Sequence, residues 1–205
     1  GSAKFKLKGL DDPKYEQILE TFRKYDIGYV FVNGGNDSMD TADKLNKYFE
    51  QAGYDCIVIG IPKTIDNDLV NIDHTPGYGS ASKYIVRTVM EVALDLQVYS
   101  KGRVTLMEMM GRDSGWLTAC SAAANLYNLG PDLIYLPEVP FDMKKFLKDV
   151  KEVYDRKGYA FVCVSEALKN EKGEYVSSIG MVDVFGHQQL GSIGRFLEDV
   201  INQQL

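Results

Sequence analysis

The segment Pro62-Lys63-Thr64-Ile65-Asp66-Asn67-Asp68 puts two carboxylates, an ammonium and a hydroxyl on one short stretch. It follows the apolar run Cys56-Ile57-Val58-Ile59-Gly60-Ile61, which reads as a buried strand. The polar loop therefore stands at a strand's C-terminal end, where open α/β sheets bind their ligands. A carboxylate there can take a proton from a sugar hydroxyl, and a lysine can hold phosphate charge. Asp-Asn-Asp is also ordinary turn chemistry. The loop alone leaves a structural turn and a reactive loop both open.

Three other stretches carry comparable chemistry. Gly34-Gly35-Asn36-Asp37-Ser38 follows the apolar run Tyr29-Val30-Phe31-Val32 and opens a helical pattern. Two glycines let a backbone approach a ligand, and a helix N-terminus favours an anion. The same residues would also serve as an ordinary helix cap. No Gly-Lys-Ser/Thr follows, so this is not a Walker loop. Glu108-Met109-Met110-Gly111-Arg112 ends the strand 104–107. Gly111 permits a sharp turn, and Arg112 offers a planar fork for phosphate. An arginine in a helix's first turn would oppose the helix dipole unless an anion offset it. Ser165-Glu166 ends the strand 160–164, and Gly186-His187-Gln188 is polar and flanked by glycine. Gly77-Tyr78-Gly79-Ser80-Ala81-Ser82 resembles a dinucleotide fingerprint but follows Thr75-Pro76 rather than a strand. It is rejected on that ground.

The elements needed to hold these loops alternate. Asp12 can cap a helix with apolar face Tyr15, Ile18, Leu19, Phe22 and Tyr25, and Met39, Ala42, Leu45, Phe49 and Ala52 mark a second. A long helix spans about 80–99, and an alanine-rich one 114–127. Leu133-Ile134-Tyr135-Leu136 reads as a strand. A helix with Met143, Phe146, Leu147, Val150 and Tyr154 inward comes next, and a final helix covers 193–205. Strands alternating with helices predict an α/β fold with mostly parallel sheets and crossover helices.

Composition narrows the function. The 205 residues are 45% hydrophobic and 25% charged, with a net charge of −6. No basic tract appears, which argues against a nucleic-acid partner. No apolar run reaches about 18 residues, so no membrane helix is expected. The three cysteines, Cys56, Cys120 and Cys163, sit in apolar contexts and read as core thiols rather than a disulfide framework. Two histidines without a second ligand at metal spacing make zinc unexpected.

Taken in order, Gly34-Gly35-Asn36-Asp37-Ser38, Pro62-Lys63-Thr64-Ile65-Asp66-Asn67-Asp68, Met110-Gly111-Arg112, Ser165-Glu166 and Gly186-His187-Gln188 resemble the phosphofructokinase family. The resemblance covers essentially the whole chain. It implies two Rossmann-like three-layer α/β/α domains with mostly parallel sheets, incomplete here. Roughly 1–77 would belong to the phosphoryl-donor domain and 78–189 to the sugar-phosphate acceptor domain, with 190–205 returning to the donor side. It also implies roles. Asp66 matches the general base acting on the 1-hydroxyl of fructose 6-phosphate. Thr64, Ile65 and Asp66 match acceptor-binding positions, as do Met110, Gly111, Arg112, Glu166 and His187. Arg103 matches an arginine that reaches the substrate phosphate of a neighbouring subunit, in a homodimer or homotetramer. Gly34, Gly35, Asn36, Asp37, Ser38 and Lys63 match the donor side. Asn36 and Asp68 match the Mg²⁺-phosphate region, although many members carry aspartate where Asn36 stands.

ATP-using members of the family have glycine at the positions of Asp37 and Lys63, so the resemblance is closest to the pyrophosphate-dependent branch. Asp37 would intrude, by bulk and by charge, where a nucleotide's α-phosphate must lie. Lys63 could neutralise a departing phosphate. Asp37, Lys63, Asp66 and Arg112 therefore form the expected catalytic set. Fructose 6-phosphate and pyrophosphate are the expected substrates of a reversible, cytoplasmic, glycolytic phosphotransfer. The alternatives are an ATP-dependent 6-phosphofructokinase and a non-catalytic subunit of the same fold. The chain also resembles a partial family sequence, with a first glycine-rich phosphate loop expected upstream and no activity expected from these residues alone.

Overall fold

The computed structural model describes residues 7–99, 102–182 and 188–204. The chain divides into two compact units, Gly1–Thr64 and Ile65–Leu205.

In the first unit, helix α1 (Lys14–Lys24) precedes strand β1 (Tyr29–Gly34), helix α2 (Asn36–Gln51) and strand β2 (Ile57–Pro62). The expected cap is present, since Asp12 Oδ1 accepts from the Lys14 amide at 3.0 Å. β1 and β2 pair in parallel, Tyr29 opposite Ile57 and Gly34 opposite Pro62. A parallel pair needs a crossover, and α2 supplies it. Tyr15, Leu19, Leu45 and Phe49 bury their side chains in one cluster with Val58 from the sheet. Phe49 meets Phe22 and Tyr54 ring to ring, at centroid distances of 5.0 and 5.5 Å. Tyr25, expected on the inner face, is 66% exposed. It falls past the helix end, where the 3.6-residue period no longer governs direction. The other face of the sheet carries Tyr29, Phe31, Ile57, Ile59 and Ile61, all exposed. Their shared parity in the register puts all five on one side.

The second unit holds helix α3 (Tyr78–Leu96), strand β3 (Val104–Met109), a single helical turn α4 (Trp116–Ala119) and strand β4 (Leu133–Tyr135). Helix α5 (Met143–Lys157) and strand β5 (Ala160–Ser165) follow. Strands β6 (Ser178–Val182) and β7 (Gln188–Leu190), then helix α6 (Ile193–Gln204), complete it. β3, β5 and β4 form a parallel sheet in that order. β5 lies in the middle, and all six of its residues are buried, as a strand covered on both faces requires. One face packs on α5 and α6 through Phe146, Val150, Ile193 and Leu197. The other packs on α3 through Val89, Ala93 and Leu96 against Phe161 and Cys163. This unit is therefore three layers, α/β/α.

α5 is fully specified at its ends. Asp142 Oδ1 accepts from the Lys144 and Lys145 amides at 2.8 and 3.2 Å, and Gly158 closes the helix at φ 80°. Two features depart from the sequence reading. The alanine-rich stretch is one α turn followed by a 3-10 segment, Cys120–Tyr127. β6 and β7 form an antiparallel pair that no alternation signalled. Ile193, Leu197 and Ile201 of α6 pack in the core of the second unit. Of the cysteines, Cys163 is buried, with its thiol pushed up to about 12 by desolvation. Cys56 and Cys120 are half-buried, and all three are free. No helix among the described residues is long and apolar enough to cross a membrane.

Candidate active-site loops

In the first unit, the Gly34-Gly35 loop sits at the shared C-terminal edge of β1 and β2. The Lys63 amide donates to the Gly34 carbonyl at 2.8 Å, and Asn33 Nδ2 donates to the Ile61 carbonyl at 3.2 Å. Gly35 caps α2 in extended conformation and accepts from the Ser38 and Met39 amides at 2.9 and 3.1 Å. A side chain at Gly34 would meet Ser38 Oγ at 2.1 Å, so glycine is required where the strand turns into the helix. Asn36, Asp37 and Ser38 thus form the first turn of α2, with Asn36 and Asp37 exposed. The acidic Asp37 suits that end of the helix dipole. Lys63 is exposed on the adjoining loop. The structure brings the expected donor residues to one edge of one sheet.

In the second unit, three parallel strands end at one edge, and their loops meet there. The turn after β3 has Met110 exposed, Gly111 at φ 142° and Arg112 at φ 48°. A left-handed arginine is strained and persists only where its surroundings hold it. Glu166, just past β5, supplies the hold: its Oε1 accepts from the amides of both Gly111 and Arg112 at 3.0 Å. Ser114 closes the turn by donating its amide to the Gly111 carbonyl at 2.9 Å. Glu138, in the loop after β4, accepts from the Gly115 amide at 2.6 Å. A side chain at Gly115 would meet Glu138 Oε2 at 2.4 Å. Asp113 pairs with Lys169 Nζ at 2.5 Å and accepts from the Tyr175 hydroxyl at 2.8 Å. Partial burial pushes the Asp113 carboxyl up, but these two hydrogen bonds outweigh it and hold it below its usual value.

The Ile65–Asp68 stretch lies against this turn. Ser114 Oγ donates to the Asp66 carbonyl at 2.7 Å. Asp66 is half-buried, with its Oδ1 shielded from solvent. Asn67, at φ 58° and 6% exposed, accepts from the Thr75 amide at 2.9 Å and donates to the Asp73 carbonyl at 3.1 Å. Its side chain staples the loop that follows.

Some expectations shift. Arg112 precedes α4 by four residues, so the dipole argument for it lapses, and its left-handed backbone now carries the case. Glu166, expected on the sugar, spends one carboxylate oxygen on the turn's backbone. Arg103 stands at the start of β3, stacked on the Tyr99 ring at 3.7 Å, a strand's length from the Met110–Arg112 turn. It does not join the other residues within the chain. His187 lies outside the described residues. Ser114, Glu138 and the Asp113–Lys169–Tyr175 group were not singled out from sequence, and Asn67 was read only as part of its turn. The glycine spacing 111/115 was the available signal for the turn, but its partners are remote in the chain. A concavity of about 900 Å³ between α3 and the 3-10 segment is lined by none of the residues singled out for chemistry.

A magnesium site can be tested against the donor set. Among the described residues no three of His, Cys, Asp and Glu cluster as metal ligands. Asp68 is exposed and offers a carboxylate, and Asn36 is exposed and offers an amide oxygen. Each by itself offers a single donor, which suits a cation held mostly by substrate phosphate and water, the usual habit of Mg²⁺. Neither fits an all-protein cage.

The phosphofructokinase family profile ("PFK: Phosphofructokinase") matches residues 1–205. A pyrophosphate–fructose 6-phosphate 1-phosphotransferase of Xanthomonas campestris is 43% identical over 214 residues, covering all of this chain and 50% of the relative. The crystal structure of a pyrophosphate-dependent phosphofructokinase from Nitrosospira multiformis superposes with a TM-score of 0.79 at 33% identity, over 100% of this chain and 48% of that one. The corresponding enzyme from Marinobacter aquaeolei gives 0.76 at 34%, over 100% and 47%. The chain thus spans about half the length of these relatives. Its fold is α/β with mostly parallel sheets, as in those structures, and the chain belongs to the phosphofructokinase family.

Proposed function

We propose that this chain is part of a diphosphate–fructose-6-phosphate 1-phosphotransferase. The observation that carries the reading is the hydrogen-bonded assembly of Asp66, Ser114, Gly111, Arg112 and Glu166. It joins the candidate base to the candidate phosphate fork in one rigid piece. The relatives reported above are named as pyrophosphate-dependent enzymes of this kind.

In this reading the Asp66 carboxylate accepts the proton of the fructose 6-phosphate 1-hydroxyl. The freed oxygen attacks the terminal phosphorus of pyrophosphate. The new P–O bond forms at the oxygen carried by C1 as the bridging P–O bond breaks, and orthophosphate departs with the bond's electron pair. Arg112 neutralises phosphate charge, while Thr64, Ile65, Met110, Gly111 and Glu166 shape the acceptor site. Phosphoryl transfer asks mainly for such positioning and electrostatics. Gly34, Gly35, Asn36, Asp37 and Ser38 hold the diphosphate, with Lys63 on the departing phosphate. Asp37 disfavours a nucleotide by bulk and charge. Asp68 and Asn36 are the residues that would hold Mg²⁺, which when bound supplies charge neutralisation on the diphosphate. Arg103 and His187 complete the acceptor site, Arg103 from a neighbouring copy in a homodimer or homotetramer. The donor side corresponds to about 1–77 and the acceptor side to 78–189, in a cytoplasmic enzyme.

The test is Asp66→Ala in the full-length protein. Loss of the base should lower kcat by about 10²–10⁴ with the fold intact. Turnover close to wild type would remove Asp66 from the role.

A further inference from the structure

We infer that Ser114 is a positioning residue for the base, an inference that rests on the reading of Asp66 above. The Ser114 side chain is nearly buried, at 8% exposure. Its hydroxyl donates to the Asp66 carbonyl at 2.7 Å across 48 residues of sequence. Ser114 has little freedom of its own. Its amide is tied to the Gly111 carbonyl, and a side chain at Gly111 would meet the Ser114 carbonyl at 2.5 Å. Gly111 and Arg112 are in turn held by Glu166. A continuous chain of hydrogen bonds therefore runs from the end of β5, through the turn after β3, to the backbone of Asp66. On the far side of Asp66, Asn67 is fixed by Thr75 and Asp73. The backbone of Asp66 is pinned from both directions.

Ser114 touches no reacting atom in this scheme. It sets the register between the loop bearing the base and the turn bearing Arg112. Such registration matters because small misplacements of a catalytic group cost rate steeply. Losing the hydroxyl would also leave the Asp66 carbonyl without this donor.

The experiment compares full-length wild type with Ser114→Ala and Ser114→Cys, measuring kcat, both KM values and melting temperature. Ser114→Ala should lose about ten-fold in kcat, within the range that misplacement of under an ångström produces, with KM for both substrates within about two-fold. Ser114→Cys keeps the size but donates weakly, and should fall between. If Ser114→Ala does not fold, the Cys variant decides alone: reduced kcat at a native melting temperature supports the inference. Wild-type kcat in either folded variant, or a loss confined to KM, overturns it while leaving the proposed function standing. An inactive wild type would instead sink the proposed function, and this inference with it.

Discussion

One oxygen of Glu166 accepts two backbone hydrogen bonds, and an arginine with a left-handed backbone depends on them. Charge-assisted hydrogen bonds of this kind are stronger than neutral ones. Glu166→Gln keeps the shape and removes the charge. The predicted outcome is a loss of about ten-fold in kcat/KM for the sugar phosphate, roughly the 1.4 kcal/mol that separates a charged from a neutral acceptor. An unchanged kcat/KM would show that the turn holds itself. Asp113 makes a separate prediction about pH. Its folded-state pKa is depressed, so its contribution to stability is complete above the ordinary carboxylate value and is lost as pH falls through the lower folded value. Lys169 is shifted up by its bond to Asp113, so that side of the pair fails only in strong alkali. The melting-temperature gap between wild type and Asp113→Asn should therefore be flat from neutrality to about pH 5 and close below about pH 4. A gap that persists unchanged at lower pH would contradict the pairing. The legibility of the site divides along the same line. Asp66, Arg112 and Lys63 could be picked out by type and by position after apolar runs. Ser114 and Glu138 could not, because nothing local says that a glutamate 23 residues on will meet Gly115.

At the scale of elements, hydrophobic period and end signals were enough for most of the chain. α5 was legible from its inward Phe146 and Val150, and the structure adds Asp142 and Gly158 at its ends. Its Lys151–Asp155 pair adds only a few tenths of a kcal/mol, being an exposed i,i+4 pair. The core carries the weight. Phe146→Ala, at a side chain fully buried against Tyr135 and Phe141, should cost about 3–5 kcal/mol by denaturant unfolding. A cost below about 1 kcal/mol would mean the layer between α5 and the sheet repacks freely. The 114–127 stretch was misread because alanine-rich composition favours helix in general, whereas its close turns follow the 3-10 pattern, ending at a left-handed Asn128. The β6–β7 pair is too short and irregular for alternation to mark it.

For the whole molecule, each unit is built on a parallel sheet, and the loops singled out for chemistry gather at the strands' C-terminal ends, where open α/β sheets arrange their ligand sites. The first unit presents the two glycines, Asp37 and Lys63 at that edge. The second presents Asp66, Arg112 and Glu166. The family follows from the match over residues 1–205, while the donor rests on two side chains, Asp37 and Lys63. Assaying the purified full-length protein for fructose 1,6-bisphosphate formation, with pyrophosphate or ATP as the sole donor, tests that claim most directly. Turnover with pyrophosphate and little or none with ATP is the predicted result. Efficient turnover with ATP and none with pyrophosphate would contradict it.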